Sequence, residues 1–536
     1  MTSSPLVLAN GNVVTMDAAQ PRAEAVAVRD GFVQAVGSLA EVRAAAGRGA
    51  ETVDLAGRTV LPGLIESHVH PVFTGRTMGW ADCRTPPRAS IEDLLTALGD
   101  QAHRSAEPEW IRGWGYDDTL LADDRHPTRD DLDRVSSTRP VLISHISGHF
   151  AVANSATLHA AGIDAATPDP VNGRIVGDAT GRPTGLLWEL GAVNQVFAAV
   201  PAPRDAEVDE ALLAALHLAA ARGITTLHDL GVGFSAGPAE LAAYRRLDAA
   251  GRLPVRVFGF AVAEQLLPLL AAGEESWGGT PGGRFVLRGA KCWADGAIQG
   301  MTAALGSPYH CAPDLQGELL HGPGKLASLI AAVHDAGGQV AVHANGDRAV
   351  EAAVDAIESA MRARPRAEPR HRIEHCQVTS AEMLHRMARL GIEASFFINH
   401  VYWWGDRHAD RFLGPQRAAD IDPLKWAQDA GLRFGVHSDC PITPMDPLRT
   451  LATCVRRSTS SGRTLGAAQQ IDVHRALAAL TTDAAYLVGA EDRLGRLAPG
   501  FAADLVVVSA DPYRARGDEL SEITVEQVMV AGAFVD

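Results

Sequence analysis

Cysteine is scarce in this chain, six in 536 residues, and no two form a C-x-x-C pair. That excludes a disulfide framework and fits reduced thiols in a cytoplasmic protein. Basic patches are missing too: the net charge is −16 and the pI near 5.7. Phosphate backbones need clustered Lys and Arg, so nucleic acid is not an expected partner, and plain solubility accounts for the acidity. No apolar run reaches membrane-spanning length; ALLAALHLAAARG is interrupted by His217 and reads as a buried helix. The opening MTSSPLVLANGNVV lacks the basic and apolar regions of a signal peptide. Fixed-period repeats and low-complexity tracts are also missing.

What is present is a chain with 46% hydrophobic and 21% charged residues, long enough for a large core and more than one folding unit. Its first sixty residues are short β-branched runs cut by Gly and Asp, such as AEAVAVRDGFVQAVGS. GRLAPGFAADLVVVSADP and ITVEQVMVAGAFVD repeat that texture at the far end. The pattern predicts one small β-sandwich domain built from both termini, residues 1–60 and 485–536.

Between the ends, apolar strands alternate with Ala-rich helical stretches, predicting a parallel sheet over 61–484. The strands are LPGLIESHVHP, GITTLHDLG, LPVRVFGFA, RFVLRGAKCWADG, GGQVAVHANGD, RHRIEHCQV, GIEASFFINH and LRFGVHSDCP. Eight matches the count of a (β/α)8 TIM-type barrel, an α/β fold. Roughly 150 residues separate the first two strands, far beyond an ordinary βα connection, so about 76–221 reads as an inserted subdomain.

Several strands end in metal-binding chemistry. His68 and His70 sit two apart, so a strand turns both imidazoles to one face. VHANGD adds His343, RIEHCQ adds His375 and HSDCP adds Asp439, each at the C-terminal strand end where barrel sites form. Alone, each could be a core histidine or a turn aspartate. Together they form the imidazole and carboxylate set that holds zinc and related divalent ions.

Lys291, in GAKCWADG, lies where a bare ammonium would be costly to bury. A neutral amine adds carbon dioxide to give an anionic carbamate, which bridges two cations as a carboxylate would. The alternatives are a lysine reaching to the barrel mouth or pairing with Asp295. Cys292, Cys376 and Cys440 each follow a candidate ligand directly, so strand alternation turns them into the packed layer as small hydrophobes.

LPGLIESHVHP, SGHFAVANSATLHAAGI, GRPTGLLWE, KCWADGAIQG, VHANGDRAV, RIEHCQ, HSDCPI and GRLAPGFAADLVV together resemble the amidohydrolase superfamily. Within it they resemble the amidohydrolase-3 group of YtcJ-like proteins and N-substituted formamide deformylases. The resemblance implies a β-sandwich with a (β/α)8 barrel and a binuclear centre bridged by N6-carboxylated Lys291. One ion would take His68, His70 and Asp439, the other His343 and His375. Zinc is the default, and manganese or iron suits the same ligands. Glu66 stands where many relatives carry aspartate, with little consequence expected.

The implied reaction is attack of a metal-bridging hydroxide on an N-substituted amide, formamides among the candidates, with Asp439 as the catalytic proton carrier. A deaminase or a cyclic amide or ureide hydrolase is the alternative within the superfamily. A non-enzymatic scaffold would have lost ligands, and all are present. A small-molecule amide is the expected partner, and family habit suggests a homodimer. Trp114, His145, His149, Asp295, His400 and Trp404 are the candidate substrate contacts. EWIRGWGYDD and FFINHVYWWGDRH could line an apolar pocket or simply pack the insertion and the loop after strand seven.

Overall fold

The computed structural model describes residues 5–104, 109–322, 324–516 and 519–535. Residues 1–4, 517–518 and 536 of the predicted sandwich segments, and 105–108 of the predicted insertion, lie outside that description. The chain forms two compact units, Met1–Val72 with Leu212–Asp536, and Phe73–Ala211.

In the first unit the termini build two small sheets. One runs in the order Phe32–Gly37, Ala25–Arg29, Leu6–Ala9, Glu51–Asp54. The other joins Asn12–Val14, Arg22–Ala23 and Thr59–Pro62 to Leu505–Val508, Val525–Val530 and Ala533–Val535 from the far end. Leu8, Val26 and Val33 of the first share one core with Val60, Leu505, Val507 and Met529 of the second. A two-residue Asp30-Gly31 turn, φ 52° and 84°, closes the hairpin that pairs Arg29 with Phe32. Positive φ at both positions gives the primed turn whose twist matches the strands.

The rest of this unit is an eight-stranded parallel sheet: β1 (Leu64–Val69), β2 (Ile224–Val232), β3 (Arg256–Val262), β4 (Phe285–Trp293), β5 (Gln339–Ala344), β6 (Arg372–His375), β7 (Glu393–Phe396) and β8 (Phe434–Val436). Every residue of β1, β2 and β5 is buried, as expected for strands covered on both faces. β8 returns to β1, where Ser67 Oγ donates to Val436 O (3.0 Å), Asp439 N–H to His68 O (3.2 Å) and His70 N–H to Cys440 O (3.0 Å). This is the (β/α)8 barrel that the strand count predicted, and its closing seam lies beside His68, His70 and Asp439.

The second unit carries its own six-stranded sheet, ordered Arg174–Gly177, Pro183–Trp188, Phe150–Ala153, Val141–His145, Ile111–Tyr116, Ala81–Asp82. Tyr116, Ile143 and Val152 anchor one of its cores. The helix Asp205–Ala221, whose residues from Leu212 belong to the first unit, buries Leu212, Leu216 and Ala219 but exposes His217, so the expected buried helix is exposed along one side. Among the described residues no helix is long and apolar enough to cross a membrane.

Candidate metal centre

His68 is 1% exposed, and its Nδ1 lies 2.7 Å from Glu374 Oε2 on β6. A carboxylate there selects the tautomer with hydrogen on Nδ1, so Nε2 presents a lone pair. That Nε2 lies 3.3 Å from Lys291 Nζ and 3.5 Å from Asp439 Oδ1, while His70 Nε2 lies 3.2 Å from the same oxygen. Asp439 Oδ1 is buried and accepts no hydrogen bond among the described residues. Electron-rich atoms converging on one point, with burial and nearby Lys291 holding His68 far below the usual imidazole range, fit a divalent cation.

The site's backbone geometry has a cost. Asp439 (φ 53°) and His375 (φ 68°) are both left-handed without being glycine, on the order of 1–2 kcal/mol each. Such strain persists where the surroundings over-determine the backbone. Glu66 supplies one restraint: its Oε1 accepts from Ser438 N–H and its Oε2 from Ser438 Oγ, both at 3.0 Å. Burial pushes its carboxyl up to about 8. The residue expected to matter little thus ties β1 to the residue before Asp439.

Lys291 neither snorkels nor pairs with Asp295. It is 1% exposed, and burial lowers its ammonium to about 8. Asp295 Oδ1 accepts from Asn345 N–H (2.9 Å), and Oδ2 from Gly346 N–H (2.8 Å) and Ala304 N–H (2.9 Å). Both oxygens of this candidate substrate contact therefore brace the turns after β4 and β5. Cys292, Cys376 and Cys440 are buried, and burial drives the Cys292 thiol up to about 12, so it is no resting thiolate.

His375 faces His343, ring centroids 4.4 Å apart, and burial holds it far below the usual range. The Nε2 of His343 lies 3.1 Å from both Gly296 O and Asn345 Nδ2, and His343 is in none of the groups of three converging ligand atoms among the described residues. His437, which the sequence reading passed over, is in one, with His68 and His375. A chain of hydroxyls orients it: Nδ1 to Ser395 Oγ (2.8 Å), Ser395 Oγ to Ser67 Oγ (2.8 Å), Ser67 Oγ to Val436 O. Ser67 donates to the carbonyl and Ser395 to Ser67, so His437 donates from Nδ1 and turns a lone pair on Nε2 toward His375 Nδ1, 3.3 Å away.

Glu374 was also missed. It sits on the same strand face as Arg372, which grips it through two nitrogens, and both are wholly buried. The signal was the period-two spacing in RIEH, with a buried arginine demanding a carboxylate.

The segment expected as a loop after β7 is helical from Asn399 to Arg407. Phe397 stacks on His437 (centroids 5.3 Å apart, 25° between planes) and meets His400 at 4.1 Å, and His400 meets Trp404 at 6.0 Å. These aromatics form a continuous row reaching the imidazole cluster. The candidates of the second unit have partners there. Trp114 packs edge-on against Phe73 (4.8 Å), His145 Nε2 lies 3.2 Å from Asp118 Oδ1, and His149 Nδ1 lies 2.8 Å from Glu189 Oε2.

The chain is 31% identical to putative amidohydrolase YtcJ of Bacillus subtilis, over 98% of each protein. It is 30% identical to N-substituted formamide deformylase of Arthrobacter pascens, over 99% of this chain and 98% of that one. An uncharacterised metal-dependent hydrolase from Pyrococcus horikoshii OT3 shares its fold with a TM-score of 0.78 and 25% identity, over 96% of this chain and 99% of that one. The amidohydrolase family model matches residues 51–536, spanning the barrel, the converging ligand atoms and the unit between β1 and β2. Barrel, seam and sequence agree, and the chain belongs to the amidohydrolase family, as a metal-dependent hydrolase of carbon–nitrogen bonds.

Proposed function

We propose that this hydrolase cleaves N-substituted amides, formamides among them, using two divalent ions, zinc by default, bridged by N6-carboxylated Lys291. The observation that carries the reading is Lys291 itself, a wholly buried amine without a carboxylate in ion-pair range among the described residues, set against His68 Nε2. With burial holding its ammonium at about 8, a fraction is neutral amine near neutral pH. The amine lone pair forms an N–C bond to carbon dioxide and one N–H proton leaves, replacing a buried cation by an anion with two oxygens.

His68, His70 and Asp439 would hold one ion, and His343 with His375 the other, with His437 an added imidazole beside them. Bound ions acidify water and polarise the substrate carbonyl. Asp439 is suited to take the proton of the attacking water and return it to the departing nitrogen, so that amide and water become amine and carboxylic acid. Glu374 keeps His68 in the ligating tautomer, and Glu66 steadies the segment that carries Asp439. The full-length similarity to a formamide deformylase favours an acyclic N-substituted amide over a ring amidine or ureide.

Mass spectrometry of products from formamides, acyl amino acids, ring amidines and cyclic ureides tests the assignment. Release of an amine with formic or another carboxylic acid is expected. Ammonia from a ring amidine, or ring opening alone, overturns it.

A further inference from the structure

A cavity of about 300 Å³ lies within the first unit and shares no residue with the metal centre. That volume is at the small end of ligand sites. Its walls come from both ends of the chain: Asn12–Val14 with the turn after it, α1 (Val473–Ala479), the start of α2 (Thr482–Leu487), and the returning segment that carries Arg496 and Tyr513. One part of the wall is preassembled. Arg22 lies 4.6 Å from the centroid of the Tyr513 ring and pairs with Asp511 at 3.0 Å, while the Tyr513 hydroxyl lies 2.8 Å from His474 Nδ1. Arg22 is thereby neutralised. Arg496 is not. Among the described residues this half-buried side chain makes no hydrogen bond and no ion pair, and its Nε is cut off from water. A guanidinium keeps its charge at any ordinary pH and offers five donors, so Arg496 brings an unmatched cation to the cavity. Val14, Met16, Pro21 and Ala478 add apolar lining beside it. Between α1 and α2, Leu480 O accepts from Ile65 N–H of β1 (2.8 Å), so an occupant would brace the segment behind the strand that carries Glu66 and His68.

We propose that this cavity binds a small monocarboxylate with an apolar tail, its head on Arg496 and its tail against Val14, Met16 and Ala478. The planar fork of a guanidinium matches a carboxylate bidentately. Asp17 also lines the cavity, so a second negative charge on the ligand would be repelled, which disfavours a phosphate dianion. Isothermal titration calorimetry of the metal-loaded protein with hexanoate, hexanamide and inorganic phosphate tests this, using wild type, Arg496→Met and Ala18→Trp. Ala18 is exposed in the turn and lines the cavity, so an indole there fills space without disturbing the core. Both variants should keep wild-type amide turnover. Hexanoate should bind the wild type and weaken about tenfold or more in each variant, as expected for losing a charged hydrogen-bond partner or the space itself. Hexanamide and phosphate should bind the wild type about tenfold or more weakly than hexanoate. Equal hexanoate binding in wild type and both variants would assign it to the metal ions or another surface and overturn the inference. Phosphate matching hexanoate, or a wild type that takes up no hexanoate, would overturn it as well.

Discussion

Replacing Glu374 by Gln removes one negative charge from a pocket where Glu374 and Arg372 are both 0% exposed. Burial pushes the Glu374 carboxyl up, and the Arg372 and Lys291 charges pull it back. In the variant, the Arg372 guanidinium keeps His228 Nδ1 (3.1 Å) and Ser67 O (2.8 Å) but loses its counter-ion. Breaking a buried pair from one side costs about 3–5 kcal/mol. Separately, His68 loses the acceptor that holds its proton on Nδ1, and such a loss lowers metal affinity roughly 10–100-fold. Chemical unfolding of the metal-free protein reads the first effect, and competition titration with a chromophoric chelator reads the second. The double variant Arg372→Met with Glu374→Leu separates them: deleting the stranded cation should restore much of the stability and none of the affinity. Metal affinity unchanged within twofold in Glu374→Gln would refute the orienting role.

Asp439→Asn keeps the shape and removes the proton acceptor, so turnover should drop roughly 10²–10⁴-fold, the usual worth of a positioned acid or base. Stopped assays at saturating substrate check it, and turnover within threefold of wild type contradicts it. His371 is 0% exposed, accepts from Val340 N–H at 2.9 Å and meets His334 Nδ1 at 2.8 Å, and burial holds it down to about 3. The unfolded chain takes up that proton near pH 6.5, so the stabilisation is complete above 6.5 and is lost as pH falls toward 3, at about 1.4 kcal/mol per pH unit. Relative to His371→Asn, the wild type should lose about 2 kcal/mol more between pH 6.5 and 5 by chemical unfolding; parallel profiles contradict this.

The barrel was legible because parallel strands buried on both faces are nearly continuous apolar runs, and ligands placed at their ends mark one face. Which polar side chain of a pair turns inward was harder to read. Strand alternation fails at His375 and Asp439, where the backbone is left-handed, and neither RIEHCQ nor GVHSDCP announces that. His437 meets His68 and His375 with its ring oriented by Ser395 and Ser67, in links that span 42 and 328 residues of sequence, so no local pattern exposes it. In the Phe73–Ala211 unit one strand has two residues, Ala81–Asp82, too short to carry a period. The aromatics after β7 suggested a loop lining, and helix formation from Asn399 gathered them into one row instead.

The central claim is that Lys291 holds the ions on which hydrolysis depends. Metal content by plasma mass spectrometry, measured with amide turnover on the same preparations of wild type and Lys291→Ala, tests it directly. The account predicts that the variant loses metal and activity together, with partial recovery of both on adding a short carboxylic acid. A variant that keeps wild-type metal content and turnover would contradict it.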